Sequence, residues 1–516
     1  MCGPSPDARG VVPTVPRARG PDRARVCEKQ AVCGVKKRTH AVHFTAGIMR
    51  TSIIAAASAT AAVVLGYVIY HKMLRRRRSS RPPCAMVSCS MPYVDAAVRR
   101  ALTKAGWTLQ VHHQPPVDLQ WADFSAIAWD DVLSGTAAAS MQYLKTGLVR
   151  KAELAFYLAK RRVEHWMPLT ITADIEDEED IVELIEKWRA HESKGQLWLL
   201  KPSKANRGEG ISILRYGDES ALRNALSDEA TRAGDWLLQA YVQPLLLPAE
   251  RVPVMSPSTC PRQGYKCHLR VHVVAVGALS VWLHLAPLVL LASSEWSPPS
   301  ESLVCGSGRG MLAHLTNHAQ QQHSASYCEE RHTRSFAEAF GESFRADLLT
   351  QLRQMVNDVF QTFVKGSAAF FALPHCFEIF GLDVAIDEQG RAFLLEANSG
   401  PDLSLHGDRL MDQADNLLSD TIEIVTRCVF RGQPEGGAAM ALRPDASAEP
   451  AAQAGGIVGG FECVLSRHCE PAAELERFKR SMSTVGKFAH SLHAVAGAPV
   501  RGIQARAMAM SGGGRV

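Results

Sequence analysis

The sequence predicts an α/β protein, and three observations carry that expectation. Apolar residues alternate with polar ones in short β-branched runs near Leu197, Trp236, Gly264 and Phe377, the period of strands packed on one face. Between Met91 and Ala190 the apolar spacing is instead that of helices. With 46% apolar and 21% charged residues over 516 positions, the chain has enough material for two to four domains, and wholesale disorder is excluded. The formal charge of +5 owes much to arginine-rich N-terminal stretches, so it says little about the folded part. Thirteen cysteines lie without CxxC pairs, which favours reduced thiols over a disulfide framework or a structural zinc.

Residues 1–50, rich in Pro, Arg and Gly, have no periodicity and read as disordered. Met49 opens an ordinary anchor sequence and is a candidate start. The run TSIIAAASATAAVVLGYVIY, Thr51 to Tyr70, carries no charge, and a helix of that length spans roughly 30 Å, enough for a bilayer core. Lys72 and Arg75 to Arg78 follow at once. The expectation is therefore a transmembrane anchor over 51–71 and a basic juxtamembrane linker over 72–90, single-pass, with the following domain in the cytoplasm. A cleaved signal peptide fits less well, because its charges normally precede the apolar run.

From Met91, MPYVDAAVRRALTKAGW suits a helix with Val94, Ala97, Val98, Ala101 and Leu102 on one side. Leu144 to Arg162 is basic and helix-forming; its Arg150 and Lys151 suit phosphate, an acidic partner or a solvated face equally. DIEDEED, Asp174 to Asp180, opens another helix, where acidic residues favour the positive end.

LWLLKPSKANRGEGISIL, Leu197 to Leu214, reads as strand, polar loop, strand. Gly208 and Gly210 let backbone amides approach an anion, and Lys201 at the strand end adds a fixed charge. This is not the GxxxxGK[ST] loop, and a Gly-containing hairpin alone is weak evidence for a nucleotide. The strand WLLQAYVQPLLL offers Gln239 and the backbone near Tyr241 and Val242 to a base edge, or is a core strand ended by Pro244. GYKCHLRVHVVAV places Lys266, His268 and Arg270 on one strand face, which faces an anion, a carboxylate partner or solvent. HLTN puts Thr316 and Asn317 in a loop.

FEIFGLDVAIDEQGRAFLLEANSGPDL, Phe377 to Leu403, reads as a hairpin turned by EQG. Antiparallel pairing brings Asp383 and Glu396 onto one face, with Asn398 two residues on. Two such carboxylates repel unless a cation or proton lies between them, and a hard oxygen cluster suits Mg²⁺. The alternative is a hairpin with Asp383 toward solvent and Asn398 capping the turn. Beyond Phe430 the composition is that of a flexible linker over 431–470. An amphipathic helix over 471–494 follows, with Leu475, Phe478, Met482 and Val485 at helical spacing, and a disordered tail over 495–516.

The ordered series KP–RGEG, QAYVQP, GYKCHLR, HLTN, FEIFGLD and LLEANSGP resembles the tubulin tyrosine ligase and tubulin tyrosine ligase-like family over roughly Met91 to Phe430. The resemblance implies an ATP-grasp catalytic region over 197–430, preceded by a smaller N-terminal α/β region over 91–196. It implies ATP contacts by Lys201, Arg207, Gly208, Gly210, Gln239, Tyr241, Val242, Lys266 and Asn317. Asp383, Glu396 and Asn398 match the residues that hold Mg²⁺ with ATP, Asp383 counting in both sets, and Lys266, Arg270 and Glu396 match the catalytic set. The implied reaction is amino acid ligation to a tubulin tail through an acylphosphate, with free tyrosine as the leading donor. Glutamate, or a catalytically weak tubulin-binding role, is the alternative. No nucleic acid partner is implied. Two departures stand out: His268 replaces the usual aspartate of a KFDLR-like strand, and Leu290 or Leu291 stands where relatives carry an arginine.

Overall fold

In the computed structural model, the residues described are 81–114, 116–191, 196–205, 208–228, 233–298, 309–322, 324–364, 369–431, 441–442, 454–467, 478 and 480. The expected membrane placement is corrected here. Among the described residues no helix is long and apolar enough to cross a membrane; the segment 51–71 lies outside them, so the single-pass, membrane-anchored reading is not carried further. The disordered ends expected over 1–50 and 495–516 also lie outside the described residues.

The chain begins with strand β1 (Cys84–Ser88), helix α1 (Pro92–Lys104), β2 (Thr108–Gln110), β3 (Leu119–Ala122) and β4 (Ala138–Ala139), which form a parallel sheet in the order β2-β1-β3-β4. Part of the linker expected over 72–90 is thus β1, because CAMVS is apolar enough to fill a central strand. Helix α1 buries Ala97, Val98, Ala101 and Leu102, the stripe its spacing foretells. The basic segment after Leu144 is not one helix. Arg150 takes an extended conformation (φ −95°, ψ 124°), so a short turn precedes α2 (Lys151–Arg161), and Lys151 is aimed inward from the helix start.

A second sheet combines β5 (Thr170–Ile175) with β6 (Leu197–Pro202), β7 (Ser212–Arg215) and β8 (Gly234–Ala240), all antiparallel in the order β5-β8-β6-β7. It spans the boundary expected at residue 196. Helix α3 (Glu178–Arg189) packs on it, started by a capping box between Asp177 and Asp180. Ile175, Ile181, Leu184, Trp188, Trp198 and Leu238 make its core.

Among the described residues the third sheet has nine strands. Its axis is β10 (Tyr265–Val276), which touches β9 (Leu246–Leu247) at its start. Along one side run β11 (Ser280–His284) and β12 (Leu288–Leu291), and along the other β14 (Phe377–Ile386). Beyond these lie β13 (Thr333–Ser335), the long helix α4 (Glu342–Gln361), β15 (Ala392–Ser399) and helix α5 (Met411–Val429). A two-residue pair joins β16 (Phe430–Arg431) to β17 (Ala441–Leu442). The C-terminal part of the expected linker is corrected: β18 (Ile457–Val458) and β19 (Phe461–Ser466) complete the sheet at the edge of β11. FECVLS alternates buried Phe461, Cys463 and Leu465 with half-buried residues, a strand signal that the Gly- and Ala-rich surroundings obscure. Of the helix expected over 471–494, most lies outside the described residues, but Phe478 is buried against Tyr143 and Phe371.

Candidate nucleotide and metal site

The site is assembled where the second and third sheets face one cleft. Register decides its chemistry. In the β14–β15 hairpin Asp383 lies directly opposite Glu396 and Gly381 opposite Asn398, so the carboxylates and the amide share one face as the spacing foretells. Neighbouring β10 sets Arg270 opposite Asp383. Its guanidinium donates to the carboxylate through Nε (2.6 Å) and Nη2 (3.2 Å). Gly381 leaves room for that reach: a Cβ there would stand 3.0 Å from Arg270 Cδ and 2.9 Å from Pro401 Cβ. Asn398 Nδ2 donates to Glu396 Oε1 (3.2 Å) and Asp383 Oδ2 (3.4 Å).

The carboxyls titrate in opposite directions. Burial pushes the Asp383 carboxyl up, against the pull of Arg270. Burial also works to raise Glu396, but Lys151, whose Nζ lies 2.9 Å from Oε2, outweighs it and holds that carboxyl below the usual range. Two carboxylates and a carboxamide on one face, one carboxyl favouring its proton, form a donor set that a divalent cation fits. Asn398 needs only to turn its amide over to present oxygen.

Facing them are two buried lysines. Lys201 Nζ donates to Gln239 Oε1 (2.7 Å) and Lys266 Nζ to Tyr241 Oη (3.3 Å); among the described residues neither forms an ion pair. Burial holds Lys201 down at about 8 and Lys266 at about 7. Burying two ammonium groups without a carboxylate partner is costly, and a bound anion removes that cost. The loop beside them is shaped for close approach. Gly208 (φ 76°) and Gly210 (φ 68°) are left-handed, and a Cβ on Gly208 would lie 3.1 Å from Asn317 Oδ1. Polyphosphate with a divalent cation thus matches the residues present.

Lys201, Gly208, Gln239, Val242, Lys266, Asn317, Asp383 and Glu396 all line the cleft. Other expected residues stand differently. Arg207 lies outside the described residues. A Cβ on Gly210 would lie 3.0 Å from Pro202 Cγ. The Tyr241 amide is committed to the Leu197 carbonyl (2.8 Å), and its ring packs among Leu199, Ile213, Met311 and Leu315. Gln239 spends its side chain on Lys201 and on Thr170 Oγ1 (2.9 Å), so it positions the lysine. Arg270 and Asn398 support the carboxylates from the cleft's edge.

Lys151 is more central than its sequence context signals. Besides Glu396 it donates to the Ala205 carbonyl (2.8 Å), tying the phosphate-side loop to the carboxylate hairpin. In the sequence it stands out only as one of two adjacent basic residues, Arg150 and Lys151, that suit phosphate, an acidic partner or a solvated face. Thr316 and His314 also line the cleft. His268 is buried, its Nδ1 2.6 Å from Thr316 Oγ1, and burial drives its imidazole down to about 3. At the second departure, Leu290 closes an apolar cluster with Leu288, Leu405 and Leu410, whereas Leu291 belongs to the main core.

Comparisons with known proteins agree with this geometry. The chain is 26% identical over 379 residues to a probable tubulin–tyrosine ligase of Schizosaccharomyces pombe, covering 64% of this chain and 88% of that one. It is 24% identical to the probable tubulin–tyrosine ligase PBY1 of Saccharomyces cerevisiae (46% of this chain, 34% of that one). To the probable tubulin polyglutamylase TTLL2 of Homo sapiens it is also 24% identical (54% and 45%). The match therefore spans less than half the length of the last two relatives. Among solved structures, the C-terminal domain of K. lactis Pby1, described as an ATP-grasp enzyme interacting with the mRNA decapping enzyme Dcp2, superposes with a TM-score of 0.50 at 22% identity, over 70% of this chain and 99% of that one. The architecture is accordingly the ATP-grasp fold. The model of the tubulin-tyrosine ligase family matches residues 148–433, more than half of the sequence and every strand that builds the cleft, and the chain belongs to that family.

Proposed function

We propose that this protein is an ATP- and Mg²⁺-dependent amino acid ligase that modifies tubulin tails, with tyrosine addition to α-tubulin as the leading reaction. The observation that carries the reading is the opposition of two groups across one cleft: Asp383 and Glu396 with Asn398 on the hairpin, and the unpaired buried ammoniums of Lys201 and Lys266 facing them. In this reading a carboxylate of the acceptor attacks the γ-phosphorus of ATP and ADP leaves; the amine of the incoming amino acid then attacks the acyl carbon of the acylphosphate, and the amide forms with release of inorganic phosphate and the amine's proton. A divalent cation held by Asp383, Glu396 and Asn398 supplies charge neutralisation at the phosphates. Lys201 and Lys266 orient the phosphate chain, and Lys151 ties the loop to Glu396. Arg270, buried beside Asp383, holds that carboxylate in place.

His268 and the leucine cluster at Leu290 favour a second reading, altered donor choice or weak catalysis, because both replace polar groups that relatives carry. The whole chain, incubated with ATP, Mg²⁺, detyrosinated tubulin and either labelled tyrosine or labelled glutamate, separates these readings by mass spectrometry of the tubulin tails. One C-terminal tyrosine is the expected product. Internal glutamate addition selects glutamylation, and binding to tubulin without either product rejects ligation of these donors.

A further inference from the structure

Phe478 lies beyond β19 and belongs to none of the three sheets, yet it is only 4% exposed. Its ring centroid stands 5.2 Å from that of Phe371 and 5.7 Å from that of Tyr143, the second pair edge-on at 84°. Tyr143 is held in turn by Trp129 (4.9 Å) and Phe124 (5.7 Å), and the Trp129 indole donates to the Phe124 carbonyl (3.1 Å). The N-terminal region and the stretch before β14 thus build an aromatic pocket, and a residue from the end of the chain fills it. A phenylalanine placed so withdraws roughly 150–250 Å² from water, which is the payload of an anchor.

The two rings that Phe478 touches belong to stretches that lead into the cleft. They are stitched together: the Phe371 amide donates to the Leu144 carbonyl (3.0 Å) and the Gly147 amide to the Ala369 carbonyl (2.7 Å). Glu378 adds bonds from the Gln142 amide (2.9 Å) and from Lys145 Nζ (2.7 Å). One stretch runs on into α2, whose Lys151 meets Glu396, and the other into β14, which carries Asp383. The residues around Phe478 match the pocket in charge as well. Arg477, Lys479 and Arg480 flank it in sequence, while Asp130 and Asp131 follow Trp129 on its short helix, with Asp123 just before. Leu475, Met482 and Val485 stand at positions −3, +4 and +7 from Phe478, the spacing by which an amphipathic helix seats in a groove.

We propose that the pocket of Phe124, Trp129, Tyr143 and Phe371 is the docking site of the chain's own C-terminal segment, residues 471–494, anchored by Phe478. Docked there, the segment braces the 139–151 stretch and so steadies Lys151 at the cleft. The segment serves its own molecule, and neither a second copy nor another surface is its seat.

The test uses the whole chain. With Phe478 replaced by p-benzoylphenylalanine, irradiation should cross-link position 478 to residues 124–144 or 369–373 in protein of monomer mass. Cross-links to a second copy, or to positions away from the pocket, overturn the docking. Hydrogen exchange followed by mass spectrometry tests the brace. Phe478→Asp should speed exchange about tenfold or more in peptides covering Gly147 and Phe371 and leave the second sheet at its parental rate. Phe478→Met, which fills an aromatic site with a flexible apolar chain, should stay within about threefold of the parent there. Parental exchange in Phe478→Asp, or acceleration of all three sheets alike in both variants, overturns the brace. Neither readout involves ATP or tubulin, so the outcome is independent of the ligation reading.

Discussion

At the scale of single residues, Glu396 carries two duties, and the balance between them sets what its loss does. It lies opposite Asp383 and accepts from Lys151 and Asn398, yet it contributes nothing to the apolar core. Glu396→Gln keeps the shape and the Asn398 contact but removes the charge. ATP turnover should fall by about a hundredfold or more, since a charged group aimed at the phosphoryl region is worth that much. The thermal unfolding midpoint should shift by only a few degrees, because Lys151 keeps its bond to the Ala205 carbonyl. Parallel measurement of ATP turnover and of the midpoint decides it: a folded variant with parental turnover has no use for Glu396 in the cation site. The placement of Glu396 was readable in the sequence because a short turn between two period-two strands fixes which side chains meet. The partner Lys151 was not, because a contact between a helix start and a distant strand leaves no trace in local periodicity.

At the scale of elements, the last strand is the least expected part of the fold. Phe461 is fully buried, with its ring centroid 4.9 Å from that of His284, and β19 is paired along β11 from Ser280 to His284. A bidentate bond from Arg353 on α4 to Glu462 holds the strand from the other side. Phe461→Ala should cost about 3–5 kcal/mol, the usual penalty for emptying an aromatic core position, and should free the β11 edge for intermolecular pairing. Chemical denaturation and size-exclusion chromatography report the two effects. A variant as stable and as monodisperse as its parent means that β19 does not hold the sheet edge. The same element shows where sequence reading runs out. Strands 197–202 and 265–276 are long or strongly alternating and were legible, and so was their order. Six residues after an Ala- and Gly-rich stretch carry the same alternation with too little length to be separated from a linker. Helix 144–162 was misread for the converse reason: propensity is continuous across Arg150, but tertiary packing bends the chain there and so turns Lys151 inward.

At the scale of the whole molecule, three histidines from distant parts of the chain meet inside the third sheet. His272 on β10, His284 on β11 and His406 after β15 are all buried, with ring centroids 5.5 Å apart for His272 and His406 and 6.4 Å for His272 and His284. Both His272 nitrogens lack hydrogen-bond partners, while His406 Nδ1 is bound to the Leu403 carbonyl. Burial holds His284 and His406 down at about 4 and His272 well below its ordinary value, with Arg270 pressing His272 and His406 the same way and Asp402 opposing it at His406. The unfolded chain therefore binds protons at these imidazoles below about pH 6.5, while the folded chain refuses them until about pH 4. In that window the unfolded state holds more protons, so stability is lost as pH falls, by about 1.4 kcal/mol per pH unit for each imidazole fully in the window. Asp383, raised in the folded state, works in the opposite sense but is a single group. Urea unfolding of the whole chain should show a steep loss of stability from pH 6.5 to 4.5, shallower in His406→Leu because one of the groups that refuses a proton is gone. Equal slopes in parent and variant would mean that the cluster is hydrated and titrates normally, and that the acid response of this fold arises elsewhere.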